Sequence, residues 1–149
     1  MTMRNSGMVD VGQKRNTSRT ARAAAFVRLD AGIVDRIKNN TIPKGNVFET
    51  AKVAGILAAK NTSGIIPLCH NIELVYAGVT FLLKEDGVAI ESLIKAVGKT
   101  GVEMEALAAC SAAALTVYDM CKMFSQRIEI EKIYLLEKRG GRSGIYVRK

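Results

Sequence analysis

The strongest constraint in this chain is a pair of strand-like runs joined by a tight polar link. Glu73 to Lys84 alternates and is β-branched in places, and Val88 to Val97 reads as a second strand. Between them stands Glu85-Asp86-Gly87, and Asp-Gly flanked by two such runs is a strong hairpin signal. What flanks the hairpin decides the fold. On its N-terminal side, Val47, Ala51, Ala54, Leu57 and Ala58 fall at helical spacing between Val47 and Lys60. Residues 62–67 end that helix. On its C-terminal side, Gly101 to Phe124 is a long Ala-rich helix.

The outer elements complete the pattern. Ala21 to Leu29 reads as a strand, and Ile128 to Glu137 as the last one. Residues 30–46 hold Asp30, Gly32, Asn39, Asn40, Pro43 and Gly45, so they read as loop with a short helix around Ile33 to Lys38. The order is strand, helix, strand, strand, helix, strand. This is the split βαβ pattern of a ferredoxin-like α+β sandwich. It implies a four-stranded antiparallel sheet with helices on one face. The other face, judged from Val75 to Leu83, would also be apolar, which predicts oligomerisation. Residues 1–20 read as a basic N-terminal arm contributing to the site, and 21–149 as one catalytic domain.

With 149 residues and 48% hydrophobic content, the chain can bury a core and is not wholly disordered. It has no run of eighteen apolar residues and no apolar segment near the N-terminus, so neither a transmembrane helix nor a secretory signal is expected. The three Cys form no CxxC pair, which argues against a disulfide framework or a zinc knuckle and for a reduced, cytoplasmic setting. No metal site is expected.

The net charge of +8 points to nucleic acid or to a small polyanion. Its distribution is uneven. One cluster is Lys14, Arg15, Arg19, Arg22 and Arg28; another is Lys138, Arg139, Arg142, Arg148 and Lys149. Gly140, Gly141 and Gly144 thread the second cluster, and such glycines let backbone N–H groups form anion-binding nests. A plain solvated tail is the competing reading. Aromatics are 5% and Trp is absent, a poor basis for a base-stacking platform. An RNA-recognition domain of the same topology would need exposed sheet aromatics, and only Tyr76 and Phe81 stand in the first hairpin strand. A non-catalytic nucleotide-binding regulator would not explain the residues that follow.

Three segments could carry chemistry. His70 is the only histidine and follows Cys69, which reads as either a thiol nucleophile or a small apolar residue. Gly98-Lys99-Thr100-Gly101 lacks the first glycine of a Walker A motif, since position 93 is Leu. It still offers a helix N-terminus to an anion, or a cap with Thr100 as N-cap and Glu103 three residues on. Asp119 and Lys122 share a helix face as a surface ion pair or as an acid/base lysine with its carboxylate. Glu105 and Asp119 lie about 21 Å apart along a straight helix, so one subunit cannot easily use both in one pocket. A neighbour's antiparallel helix would bring the two ends together. Cys110 and Cys121 are far from metal-ligand spacing.

Taken together, MVDV, KGNVFETAKVAGILAAKNTSGIIPLCH, GKTGVEMEAL, ALTVYDMCK and KRGGRSG resemble the cyclic pyranopterin monophosphate synthases, the molybdenum cofactor biosynthesis protein C family. The resemblance runs over residues 8–146. It implies a hexamer built as a trimer of dimers with sites at subunit interfaces. It implies conversion of 3′,8-cyclo-7,8-dihydro-GTP, supplied by an upstream radical GTP cyclase, to cyclic pyranopterin monophosphate with release of pyrophosphate. No cofactor is required; Mg2+ could accompany the substrate triphosphate. No nucleic acid or membrane partner is implied.

Carried over residue by residue, the family's functional positions fall on Lys14, Arg19, Lys44, His70, Glu103, Met104, Glu105, Asp119, Lys122 and Lys138. The proton transfers that the reaction needs then make Lys122 the principal acid/base with Asp119 as its partner. His70, Glu103 and Glu105 would bind the base and shuttle protons. Lys14, Arg19, Lys44 and Lys138 would hold phosphates, with Cys69, Met104 and Arg142 among the substrate-binding residues. Two positions depart from the family pattern: Asn71 stands where Pro is common after LCH, and Arg142 stands for a lysine. Arginine keeps charge and phosphate binding but is a poorer proton donor, so positioning fits Arg142 better than acid catalysis.

Overall fold

The computed structural model describes residues 6–149; the first five residues of the basic arm lie outside the described part. The elements run β1 (Thr17–Arg28), α1 (Ala31–Lys38), α2 (Val47–Lys60), α3 (Thr62–Ile65), β2 (Leu74–Lys84), β3 (Gly87–Gly98), α4 (Glu103–Cys121), β4 (Glu129–Arg139) and β5 (Tyr146–Val147). The sheet is antiparallel, in the order β2-β3-β1-β4-β5. The expected α+β arrangement is present, with helices packed on one face. A fifth strand was not foreseen: Tyr146 and Val147 turn back to pair with Lys138 and Glu137. The strand β1 also starts at Thr17 rather than Ala21.

Alternation in β1 explains the layer. Ala21, Ala23, Ala25 and Val27 are buried towards the helices, opposite Ile94, Ser92, Ile90 and Val88 of β3. Alanine is a weak strand former, but its small side chains let α4 lie close. The facing stripe of α4 is equally small: Ala106, Ala109, Ala113, Ala114 and Val117 are fully buried. Gly55 lets α2 come as near, because a Cβ there would stand 2.9 Å from the Ala109 carbonyl oxygen and 2.8 Å from Val79. Ser92, a polar side chain in this seam, is satisfied: its Oγ donates to the Ala106 carbonyl at 2.8 Å. Asn46 caps α2, its side chain accepting from the Glu49 N–H at 3.0 Å.

By length and composition α4 would suffice to cross a membrane. Here it is the core helix, with its apolar side chains against the sheet and α2. The open sheet face is mixed rather than apolar. It carries Leu82, exposed to 61%, but also the Arg22–Glu91 ion pair at 2.6 Å and the Arg22–Glu137 pair. Arg148, of the cluster for which a solvated tail was the competing reading, has its guanidinium 4.5 Å from the Tyr134 ring, and its N–H donates to the Leu136 carbonyl.

Candidate active site

Five chain ends meet at one edge of the sandwich: the starts of β1, β2 and α4, and the ends of β3 and β4. Side-chain direction then follows from strand period. Arg19 shares the helix-side face of β1 with Ala21, and Lys138 stands opposite Ala21 on β4. Both therefore emerge beneath the N-terminus of α4.

Two clefts adjoin there. The first, about 510 Å³, is lined by Gln13, Lys14, Arg15, Thr17, Arg19, Gly141, Arg142 and Ser143. Its lining holds four cations and no carboxylate. Arg19 is nearly buried, and its guanidinium donates to the carbonyls of Gly98 (3.4 Å) and Gly140 (3.5 Å). Both bonds are long, so most of the donor capacity of Arg19 is open to an anion. Gly141, at φ +77°, packs against that guanidinium where any Cβ would overlap it.

The second cleft, about 440 Å³, takes Val9, Val11, Leu68 and Ile72 as apolar walls and Lys14, Cys69, His70, Thr100, Glu103, Met104 and Glu105 as its chemistry. Lys14 belongs to both. His70 Nε2 lies 2.6 Å from the Val9 carbonyl, which fixes the ring. Glu103 pairs with Lys138 at 3.0 Å. Glu105 is 4% exposed, and its pKa is raised, first by burial and then by the charge of Glu103. A carboxyl so placed holds its proton more readily than a surface glutamate. Burial, then the charge of Glu105, likewise raises the Cys69 thiol, so Cys69 is no ready thiolate. Glu103 is the first helical residue and Val102 the N-cap; Thr100 does not cap α4. The acidic first turn stands favourably at the positive end of the helix dipole.

The remaining residues of the expected site gather at the opposite end of α4. Asp119 accepts from Lys122 at 2.8 Å and from Lys44 at 2.9 Å, and the Lys44 ammonium also reaches the Asp119 carbonyl. Hydrogen bonds from Lys122 and then Lys44 pull the Asp119 carboxyl down to about 2. The same bond raises Lys122, which stays charged and able to hold an anion. All three side chains are largely exposed. Within one chain, then, Lys14, Arg19, Cys69, His70, Glu103, Met104, Glu105, Lys138 and Arg142 come together, and Lys44, Asp119 and Lys122 stand apart from them.

In the first cleft, the polar residues not expected at the site are Gln13, Arg15, Thr17 and Ser143; in the second, the apolar walls Val9, Val11, Leu68 and Ile72 were not expected. Arg15 was visible only as one more cation in the basic cluster. Among the described residues no His, Cys, Asp or Glu side chains group as metal ligands.

The chain matches the MoaC family over residues 8–141. It is 48% identical over 142 residues to the cyclic pyranopterin monophosphate synthase of Desulfitobacterium hafniense, covering 95% of this chain and 87% of that one. The synthase of Bacillus thuringiensis is 49% identical over 146 residues (95% and 91%). That of Nitratidesulfovibrio vulgaris is 46% identical over 141 (93% and 88%). Such identity across nearly the full length, with the family match over residues 8–141, identifies the chain as a member of the MoaC family.

Proposed function

We propose that this chain is a cyclic pyranopterin monophosphate synthase acting on 3′,8-cyclo-7,8-dihydro-GTP in molybdenum cofactor biosynthesis. The observation that carries the reading is the pair of adjoining clefts sharing Lys14. A carboxylate-free cationic cleft suits a triphosphate, and the neighbouring cleft has apolar walls for a ring and proton-transfer groups around it. In this reading a substrate hydroxyl attacks the α-phosphorus, the bond to pyrophosphate breaks, and a cyclic phosphate forms. Lys14, Arg19, Lys44, Lys138 and Arg142 offset the negative charge that grows on the leaving pyrophosphate. Lys122 is the principal acid/base and Asp119 orients it. His70, Glu103 and Glu105 hold the base and pass protons during ring opening and closure. Cys69 and Met104 contact the ring. No cofactor is called for; Mg2+, where present, arrives on the triphosphate.

The two ends of α4 are reconciled by a second chain. Met104, Ala108, Ser111, Ala112, Leu115, Asp119 and Lys122 fall at helical spacing on the side of α4 away from the sheet, and Leu115 is 61% exposed. Position 112 lies midway between Glu105 and Asp119. A two-fold axis there would cross two copies of α4 antiparallel over small side chains and set Lys122 of each by the Glu105 cleft of the other. The family resemblance extends this to a trimer of such dimers. We place the enzyme in the cytoplasm, where its three free thiols stay reduced, downstream of a radical GTP cyclase. The test is turnover of purified cyclised GTP, followed by pyrophosphate release. The wild-type chain turns over and Lys122→Ala does not; normal turnover by Lys122→Ala refutes its central role.

A further inference from the structure

We propose that Lys99 is a positioning residue: it latches the N-terminal arm across the two clefts and so sets Lys14 at their junction. The proposal rests on the anion-binding reading of the first cleft.

Residues 11–16 carry no helix or strand, yet they supply walls to both clefts. Val11 lines one, Gln13 and Arg15 line the other, and Lys14 lines both. A segment of this kind needs tethers if its lysine is to stand in one place. Among the described residues, two side chains from beyond residue 20 bond to the stretch 9–16. One is the His70 ring on the Val9 carbonyl. The other is Lys99, whose ammonium donates to the Gly12 carbonyl at 3.1 Å. Lys99 is not among the residues that line either cleft.

The local geometry converts that bond into an aim for Lys14. Gly12 N–H donates to the Asp10 carboxylate at 2.8 Å, and Lys14 N–H donates to the Val11 carbonyl at 3.0 Å. Together they form a compact turn from Asp10 to Lys14, and the Lys99 ammonium holds that turn at its centre. The base of the tether is itself fixed. Lys99 follows Gly98 at the end of β3, and the Gly98 carbonyl accepts from Arg19. One short segment therefore braces the arm and a guanidinium of the same anion cleft.

Trypsin and inorganic tripolyphosphate test this without requiring turnover. In wild type the latched arm resists cleavage after Lys14 and Arg15. Losing a charge-assisted bond makes Lys99→Met cleave there about tenfold faster and bind tripolyphosphate about tenfold more weakly, with the Tm nearly unchanged. Because Lys14 faces the charge that grows on the leaving pyrophosphate, kcat/KM for cyclised GTP falls by a similar factor. Lys99→Arg, which keeps the donor, restores all three; a merely structural lysine would show no such rescue. Lys99→Gln, checked by circular dichroism, serves if Lys99→Met folds poorly. Cleavage and tripolyphosphate affinity both within about twofold of wild type, for a folded variant, overturn the proposal. Absence of turnover by the wild type, with cleavage and tripolyphosphate binding moving as stated, removes the proposed reaction and leaves the latch standing.

Discussion

Gly141→Ala is the substitution that most cleanly separates anion binding from folding. Gly141 has φ +77°, where an L side chain costs about 1–2 kcal/mol. For a chain of this size that predicts a fall in Tm of about 2–8 °C. The new Cβ would also overlap the Arg19 Nη1 atom. That atom is the far end of a flexible side chain, so the guanidinium swings aside and the fold survives. What is lost is its aim, held now only by long bonds of 3.4 and 3.5 Å to two carbonyls. One charge-assisted bond to a phosphate oxygen is worth about 1.5–3 kcal/mol, or roughly 10- to 150-fold in affinity. Calorimetric titration with inorganic tripolyphosphate and a thermal melt read the two effects separately. Gly140→Ala is the companion: at φ +102° its Cβ would overlap the Ser18 carbonyl in β1, which cannot swing aside. Gly140→Ala therefore lowers Tm further than Gly141→Ala. Gly141→Ala with tripolyphosphate affinity within about twofold of wild type would refute the assignment of Arg19 to the anion cleft.

Two further outcomes follow from the same structure. The Asp119 carboxyl, held at about 2, adds stability that is full above its unfolded value and is lost as pH falls towards 2. Glu105 runs the other way: its raised pKa favours the protonated fold, so stability declines as pH rises through that value. Melts between pH 2 and about 7 should show Asp119→Asn flattening the acid limb and Glu105→Gln removing the decline on the neutral side. In the core, Gly55→Ala forces a methyl to within 2.9 Å of the Ala109 carbonyl oxygen and 2.8 Å of Val79. Overpacking of about 1–3 kcal/mol outweighs the helix-propensity gain of about 0.5–1, so Tm should fall by a few degrees. An unchanged or higher Tm would mean that the α2–α4 seam can give.

The hairpin and the Ala-rich helix made most of the fold legible, because period and Asp-Gly turn chemistry are local. The distance between Glu105 and Asp119 was legible too, since helix rise is fixed, and it already separated the site into two ends. Four features escaped for reasons of tertiary structure. Val102 is 1% exposed, and its burial in the core moves the start of α4 past Thr100, whatever the capping pattern suggests. Glycines among cations read alike as a nest or as a tail, so the return of Tyr146 and Val147 to β4 gave no signal. The charge of the open sheet face depends on register: Arg22 meets Glu91 and Glu137 from two different strands, which alternation along one strand cannot reveal. Lys99 sits in a motif whose resemblance to a phosphate loop drew attention to its backbone, whereas its ammonium reaches back 87 residues to Gly12.

The central claim is that the two ends of α4 from different chains complete one site. Mixing two inactive variants tests it directly. Lys122→Ala destroys one end and Glu105→Gln the other, and each alone is expected to be inactive. Dissociated and reassembled at equal amounts, they form mixed dimers in which one of the two sites is intact. Random pairing predicts recovery of about a quarter of wild-type turnover of cyclised GTP. A mixture no more active than its two components would contradict the shared site.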